Sequence, residues 1–282
     1  MYNGFPPSLA IVGTGLIGAS LGKALLARGV VREVLGVGRS AERLETARQL
    51  GCVTHCTTDL RDVRETALVV VCIPVSVIAP QIFAMVESAQ KGTIFTDVGS
   101  TKASLVTALQ RLPNGCVFVG GHPIAGKETS GAEAADASLF DGKRTILTPT
   151  EETPPQAVET VQALWQSVGA VVSRMSAVEH DAILAATSHL PHILACVLAA
   201  GTPSEWLPFA GTGFDSMTRL AAGNTDVWRD ILLDNRGPIF AALQAYQTHL
   251  DQLRAALDTN DDAAELETFL HLANEKRNAL GN

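Results

Sequence analysis

The sequence predicts an α/β fold. A Rossmann-type, doubly wound, mostly parallel sheet comes first, and an all-α C-terminal domain follows. Three observations carry this. Short β-branched runs alternate with helical patterns over the first two-thirds of the chain. Gly13-Thr14-Gly15-Leu16-Ile17-Gly18 stands between the first apolar run and the first helical pattern. After about Arg174 the strand signal stops, and apolar residues recur at helical spacing. At roughly 150 residues per domain, 282 residues suffice for two. The division falls at 1–173, a domain that carries the dinucleotide-binding signature, and 174–282, a helical domain.

Leu9–Val12 reads as a strand and Leu16–Arg28 as a helix closed by Gly29. Val34–Val37 is the second strand. Ser40 caps a helix through Leu50, stopped by Gly51. Residues around Cys52–Cys56 form a loop and short strand. Leu68–Ile73 has no alternation, as expected of a strand buried on both faces, and Pro74 ends it. Val77–Ala89 is helical, Thr93–Asp97 a strand, Thr101–Leu112 a helix and Val117–Val119 a strand. Thr145–Leu147, Pro155–Val168 and Ala170–Ser173 repeat strand, helix, strand. Ala177–Ala200 is a helix kinked at Pro191, and 201–213 is a connection. Trp228–Asn235 is helical. Ile239, Leu243, Tyr246, Leu250, Leu253 and Leu257 mark one face of a long helix, and Ala263–Leu280 is the last.

Composition removes several classes of function. Apolar residues make up 46% and charged residues 18%, so the chain can bury a core. Net charge is −8 with no basic block, which argues against a nucleic-acid surface. Five cysteines without a CxxC read as free thiols in a reducing, cytoplasmic setting. Cys52, His55 and Cys56 have no second ligand pair, and His189 with His192 has no nearby carboxylate, so no metal site is expected. Ala182–Ser204 is uncharged and long enough to span a bilayer. It holds Thr187, Ser188, His189, Pro191 and His192, which suit a buried core helix better than a membrane.

Six segments carry chemistry. In the glycine signature, Gly13 permits a tight turn, Gly15 lets backbone approach a pyrophosphate, and Gly18 lets helix and strand pack closely. The helix N-terminus, with Leu16 and Ile17, faces the phosphates. Ile73 and Pro74, at the end of the LVVVCI run, border the same cleft. At the second strand's end, Gly38 occupies the place of the acid that accepts a ribose 2′-hydroxyl in NAD sites. Arg39 and Ser40 follow and suit a 2′-phosphate, so NADP is favoured over NAD. Asp97-Val98-Gly99-Ser100-Thr101-Lys102 ends another strand, where Asp97 or Ser100 is either a helix cap or a site residue. His122, between Gly120-Gly121 and Pro123, is poor core material and a candidate general base. Ser188-His189-Leu190-Pro191-His192 puts polar groups in an apolar helix, as a lined cavity would. Arg219 stands among small and apolar residues, available to Asp215 one turn back or to a substrate carboxylate.

Taken together, IVGTGLIGASLG, DVGSTK, GGHPIAGKETSG, ATSHLP, GFDSMTRLAAGN and the Trp228-Arg229-Asp230-Ile231 run with Asn235 resemble the prephenate/arogenate dehydrogenase family of tyrosine biosynthesis. The resemblance runs in order from residue 11 to 235. It implies a helical half like that of 6-phosphogluconate dehydrogenase. It also implies oxidative decarboxylation of a cyclohexadienyl acid by NAD(P). Hydride leaves the ring carbon bearing the hydroxyl, the new carbonyl draws electrons from the departing CO2, and aromatisation drives the step. The family's catalytic histidine falls on His122 and its serine on Ser100, which would orient His122. Ser188 and His189 would contact substrate, and Arg219 would clamp a carboxylate. Where many members read FRD, this chain has Phe214-Asp215-Ser216. Glu128, Asp136 and Asp215 are the candidates for choosing between a keto and an amino side chain. The resemblance also implies a homodimer through C-terminal helices, with the Ile239–Leu257 stripe as candidate interface.

Two other readings compete. Dehydrogenases of the β-hydroxyacid or imine reductase type share the two-domain plan but put Lys or Asp on the interdomain helix, where this chain has Ser188, His189 and His192. A non-catalytic dinucleotide sensor would have no use for His122, Ser100, His189 and Arg219 together.

Overall fold

The computed structural model describes residues 8–127, 129–258 and 263–280. Glu128 lies outside them. Eight strands form one sheet: β1 (Ser8–Val12), β2 (Glu33–Val37), β3 (His55–Thr57), β4 (Leu68–Val71), β5 (Ile94–Asp97), β6 (Val117–Pro123), β7 (Arg144–Thr148) and β8 (Val171–Arg174). Their order is β3-β2-β1-β4-β5-β6-β7-β8. The first six are parallel, β7 runs antiparallel to β6, and β8 is parallel to β7. The chain winds outward from β1 in one direction and from β4 in the other. The crevice between β1 and β4 is therefore the topological switch point, where such sheets bind ligands at their carboxyl ends.

Helices α1 (Leu16–Ala27), α2 (Ala41–Gln49), α3 (Val75–Val86), α4 (Ala103–Leu109) and α5 (Pro155–Ser167) cover the sheet. Leu9 and Ile11 join the core on one face with Leu21, Leu25 and Trp165. Ala10 and Val12 join the other, with Ile78, Ile82 and Phe95. Both faces of β4 are buried, which is why its sequence does not alternate.

Two strand ends differ from expectation. β4 stops at Val71, because Cys72 and Ile73 turn under the first glycine loop. β6 continues four residues past Val119, through Gly120, Gly121 and His122 to Pro123. The two glycines, which the sequence reading left beyond the strand, meet a need for space. A Cβ on Gly120 would sit 2.4 Å from Thr148 Oγ1, and one on Gly121 2.9 Å from the Asp97 carbonyl oxygen.

The rest is helical: α6 (Ala177–Leu184), α7 (Leu190–Gly201), α8 (Thr212–Thr218), α9 (Thr225–Asp234), α10 (Arg236–Asp258) and α11 (Ala264–Ala279). One π-helical turn, Ala185–His189, joins α6 to α7 just ahead of Pro191. Such turns often mark functional positions. Ala177–Gly201 as a whole is long and apolar enough to cross a membrane. It is not the buried core helix expected: His180, Asp181, His189 and His192 are buried, while Val178 is 73% and Val197 63% exposed. The polar side of this helix therefore faces protein.

On the expected dimer stripe of α10, Ile239 is buried, Leu243, Tyr246, Leu250 and Leu253 are half-buried, and Leu257 is exposed. Exposed apolar area also lies at Trp206, Phe209, Met217, Leu233 and Phe240.

Candidate active site

The loop after β1 is shaped for a close neighbour. Gly13 has φ +94°, and a Cβ there would stand 2.4 Å from the Cys72 carbonyl oxygen. A Cβ on Gly18 would meet the Gly13 carbonyl oxygen at 2.1 Å, whereas around Gly15 nothing lies within 4 Å. No side chain caps α1. Its first amides are therefore left for an anion, the arrangement that holds a pyrophosphate. Gly18→Ala is accordingly expected to cost about 1–3 kcal/mol by overpacking and to weaken dinucleotide binding. Urea unfolding and calorimetric titration check both.

At the end of β2, Ser40 caps α2 by accepting a hydrogen bond from Arg43 N at 3.3 Å. Its hydroxyl proton remains available. Arg39 is exposed beside it.

At the ends of β5 and β6 lies a buried polar cluster. Asp97 and Lys102 are fully buried and form an ion pair. Asp97 Oδ2 also accepts from Gly99 N at 2.8 Å, and Oδ1 from Gly121 N at 3.0 Å. This ties the DVGSTK segment to the strand that carries His122. Burial pulls the Lys102 ammonium below its ordinary value, opposed by Asp97, Asp181 and Asp234. His122 is buried too, and its Nδ1 lies 2.9 Å from His180 Nε2. Burial, then His180, Lys102 and His189, push its imidazole well below the ordinary histidine value. Its imidazole is neutral at neutral pH.

The helical half closes over this edge through three carboxylates. Asp181 accepts from Lys102 N and Ala103 N, both at 2.8 Å. Asp234 accepts from Thr101 and Ser104, and Asp230 from Ser76. Asn235 Nδ2 donates to the Asp181 carbonyl at 2.8 Å and lies 3.0 Å from His189 Nδ1. His189 Nδ1 must then accept, which leaves Nε2–H as a buried donor without a protein partner. Burial, partly opposed by Asp181, lowers His189 to about 4. His192 stacks on Trp228 with ring centroids 3.5 Å apart.

The two halves match two family descriptions. Residues 21–174 match "Prephenate dehydrogenase, nucleotide-binding domain", and residues 176–272 match "Prephenate dehydrogenase, dimerization domain". The cyclohexadienyl dehydrogenase of Zymomonas mobilis is 36% identical over 93% of this chain and 92% of its own. The chain belongs to the prephenate dehydrogenase family. Among solved structures, the Aquifex aeolicus prephenate dehydrogenase bound to hydroxyphenyl propionate and NAD+ superposes with TM-score 0.91. It shows 30% identity over 97% of this chain and 98% of that one. The Synechocystis arogenate dehydrogenase gives TM-score 0.85 at 29% identity, covering 97% and 99%.

Within this prephenate dehydrogenase fold, the residues singled out from sequence fall in four places. Gly13, Gly15, Leu16, Ile17, Gly18, Gly38, Arg39, Ser40, Ile73 and Pro74 follow the carboxyl ends of β1, β2 and β4. Ser100 and His122 follow or end β5 and β6. Ser188 and His189 sit on the π turn, Ser188 half-buried and His189 buried. Arg219 opens an exposed 3-10 turn, Arg219–Ala222, packed against α7.

Three expectations change. His122 Nδ1 pairs with His180, and no hydrogen bond joins it to Ser100. Neither Asp97 nor Ser100 caps α4, because the Asp181 carboxylate arrives from α6 to do so. Asp136 is held by Lys127 at 2.8 Å, and Asp215 is exposed in the first turn of α8. The residues that sequence reasoning missed are Lys102, His180 and Asp181. The signal for the last two was a His-Asp pair opening an otherwise apolar helix.

Proposed function

We propose that this protein oxidatively decarboxylates prephenate or arogenate with a nicotinamide dinucleotide in cytoplasmic tyrosine biosynthesis. One observation carries the reading. A neutral, buried histidine with its outer nitrogen unengaged stands at the carboxyl edge of the sheet, three strands along from the one that carries the glycine cradle.

In this reading the chain divides at 1–173 and 174–282. Gly13, Gly15, Leu16, Ile17 and Gly18 hold the pyrophosphate, with Ile73 and Pro74 bordering the cleft. Gly38, Arg39 and Ser40 hold the adenosine ribose, and the guanidinium and hydroxyl favour NADP over NAD. When bound, the nicotinamide accepts a hydride from the ring carbon. His122 takes the hydroxyl proton as that carbon becomes a carbonyl, and Ser100 borders the ring pair. Electrons from the departing carboxylate then flow into the new carbonyl. Ser188 and the His189 Nε2–H donor contact substrate, and Arg219 holds a carboxylate. Exposed Trp206, Phe209, Leu233 and Phe240 supply the apolar surface for a homodimer.

Because His122 must be unprotonated, activity is complete above its lowered pKa and is lost as pH falls through it. The acid limb of kcat/KM is expected below 6.5. A limb at or above that value contradicts a buried base.

The test of the function is a set of initial rates pairing prephenate or arogenate with NAD or NADP. Turnover faster with NADP, selectively weakened by Arg39→Ala, is expected. Faster turnover with NAD, unaffected by Arg39→Ala, would overturn the nucleotide assignment. No turnover from folded, dinucleotide-bound protein would overturn the function.

A further inference from the structure

His180 touches the proposed base from behind, and Asp181 touches His180. They enter on the first turns of α6, whose start is capped by Ser176, and His180 is fully buried. The Asp181 carboxylate accepts from Lys102 N and Ala103 N at the start of α4, and Oδ1 lies 2.7 Å from His180 Nδ1. Burial opposes its charge, but these hydrogen bonds hold it below the ordinary aspartate value, so it is an acceptor only.

The proton order follows outward from that carboxylate. His180 Nδ1 must donate to Asp181. A neutral imidazole carries one proton, so His180 Nε2 is bare and must accept. The atom 2.9 Å away is His122 Nδ1, which therefore carries the proton. His122 Nε2 is left bare, facing away from the pair. Among the described residues, the other charged or titratable groups around His122 are Lys102 with its partner Asp97, and His189. A second proton on His180 would reverse the chain and make His122 Nε2 a donor, useless as a base.

We propose that His180, oriented by Asp181, is a positioning residue that fixes His122 in the tautomer with Nε2 as the base. It also receives the hydrogen bond from the His122 imidazolium formed when the substrate hydroxyl gives up its proton. The inference rests on His122 being that base. No proton passes along the pair: the charge on His122 is stabilised through Nδ1–H toward His180 and Asp181, and the proton held on Nε2 returns to the substrate oxygen when loss of CO2 turns the carbonyl into a phenolate.

The test needs no variant at its core. Long-range proton–nitrogen spectra of 15N-histidine-labelled protein report each ring nitrogen, and the His122 signals are identified by their loss in His122→Asn. At neutral pH, His122 is expected to be protonated at Nδ1 and bare at Nε2. His180→Phe keeps a ring but removes the acceptor. It should release His122 to the Nε2–H form, lower kcat on the order of 10–100-fold with little change in KM, and move the acid limb of the pH profile. His180→Gln, whose amide oxygen can accept from Nδ1–H, should recover part of kcat. Wild-type His122 protonated at Nε2 overturns the proposal, as does a folded His180→Phe with unchanged kcat and pH profile. If His122→Asn itself retains full activity, the base assignment fails instead, and the two failures are distinguishable.

Discussion

Replacing His122 with asparagine is expected to lower kcat by about 10²–10⁴-fold, the usual worth of a positioned general base. Asparagine is polar and shorter than histidine, and its amide can still donate toward His180 Nε2. It cannot take the hydroxyl proton. Dinucleotide affinity should change little, because the glycine loop after β1 is three strands away in the sheet. KM should also hold, since Ser188, His189 and Arg219 are untouched. Steady-state rates and a direct dinucleotide titration separate these effects. A kcat within a few-fold of wild type would remove His122 from the chemistry.

Lys102→Met is expected to be the most destabilising single change at the site, at about 3–5 kcal/mol, because it leaves a buried carboxylate uncompensated. Asp97 and Lys102 are both fully buried, and without the ammonium Asp97 keeps only the amides of Gly99 and Gly121. The double variant Asp97→Asn/Lys102→Met should be less destabilised than the single one, since the orphaned charge is gone. Urea midpoints for the four proteins of this cycle give the coupling. A second readout is electrostatic. Lys102 helps to depress His122, so the acid limb of activity should move upward in folded Lys102→Met. A loss below about 1 kcal/mol would mean that the pair is solvated rather than buried.

What was legible in the sequence was local. The GTGLIG turn announces itself because its glycines serve a strand, a turn and a helix within six residues. The strands of the sheet core are β-branched runs whose burial on both faces erases alternation. His122 was visible because a histidine between glycines and a proline has no packing role. What stayed hidden depends on distant partners. Lys102 follows Ser100 and Thr101 at a helix start and reads as a solvated lysine, yet the fold seals it against Asp97. His180 and Asp181 look like ordinary polar residues of a first turn, but their partners lie 58 and 79 residues away. The stripe on α10 has the spacing of an interface, but periodicity reports only that a face is covered, and here the chain's own helices cover much of it.

The central claim is that oxidation and loss of the carboxylate belong to one turnover. It is tested most directly by following reduced nicotinamide and labelled CO2 together, with prephenate or arogenate labelled in the ring carboxylate. One CO2 released per nicotinamide reduced, with an aromatic product, is the expected result. Nicotinamide reduction that leaves the carboxylate in place would contradict it and make the protein a simple alcohol dehydrogenase.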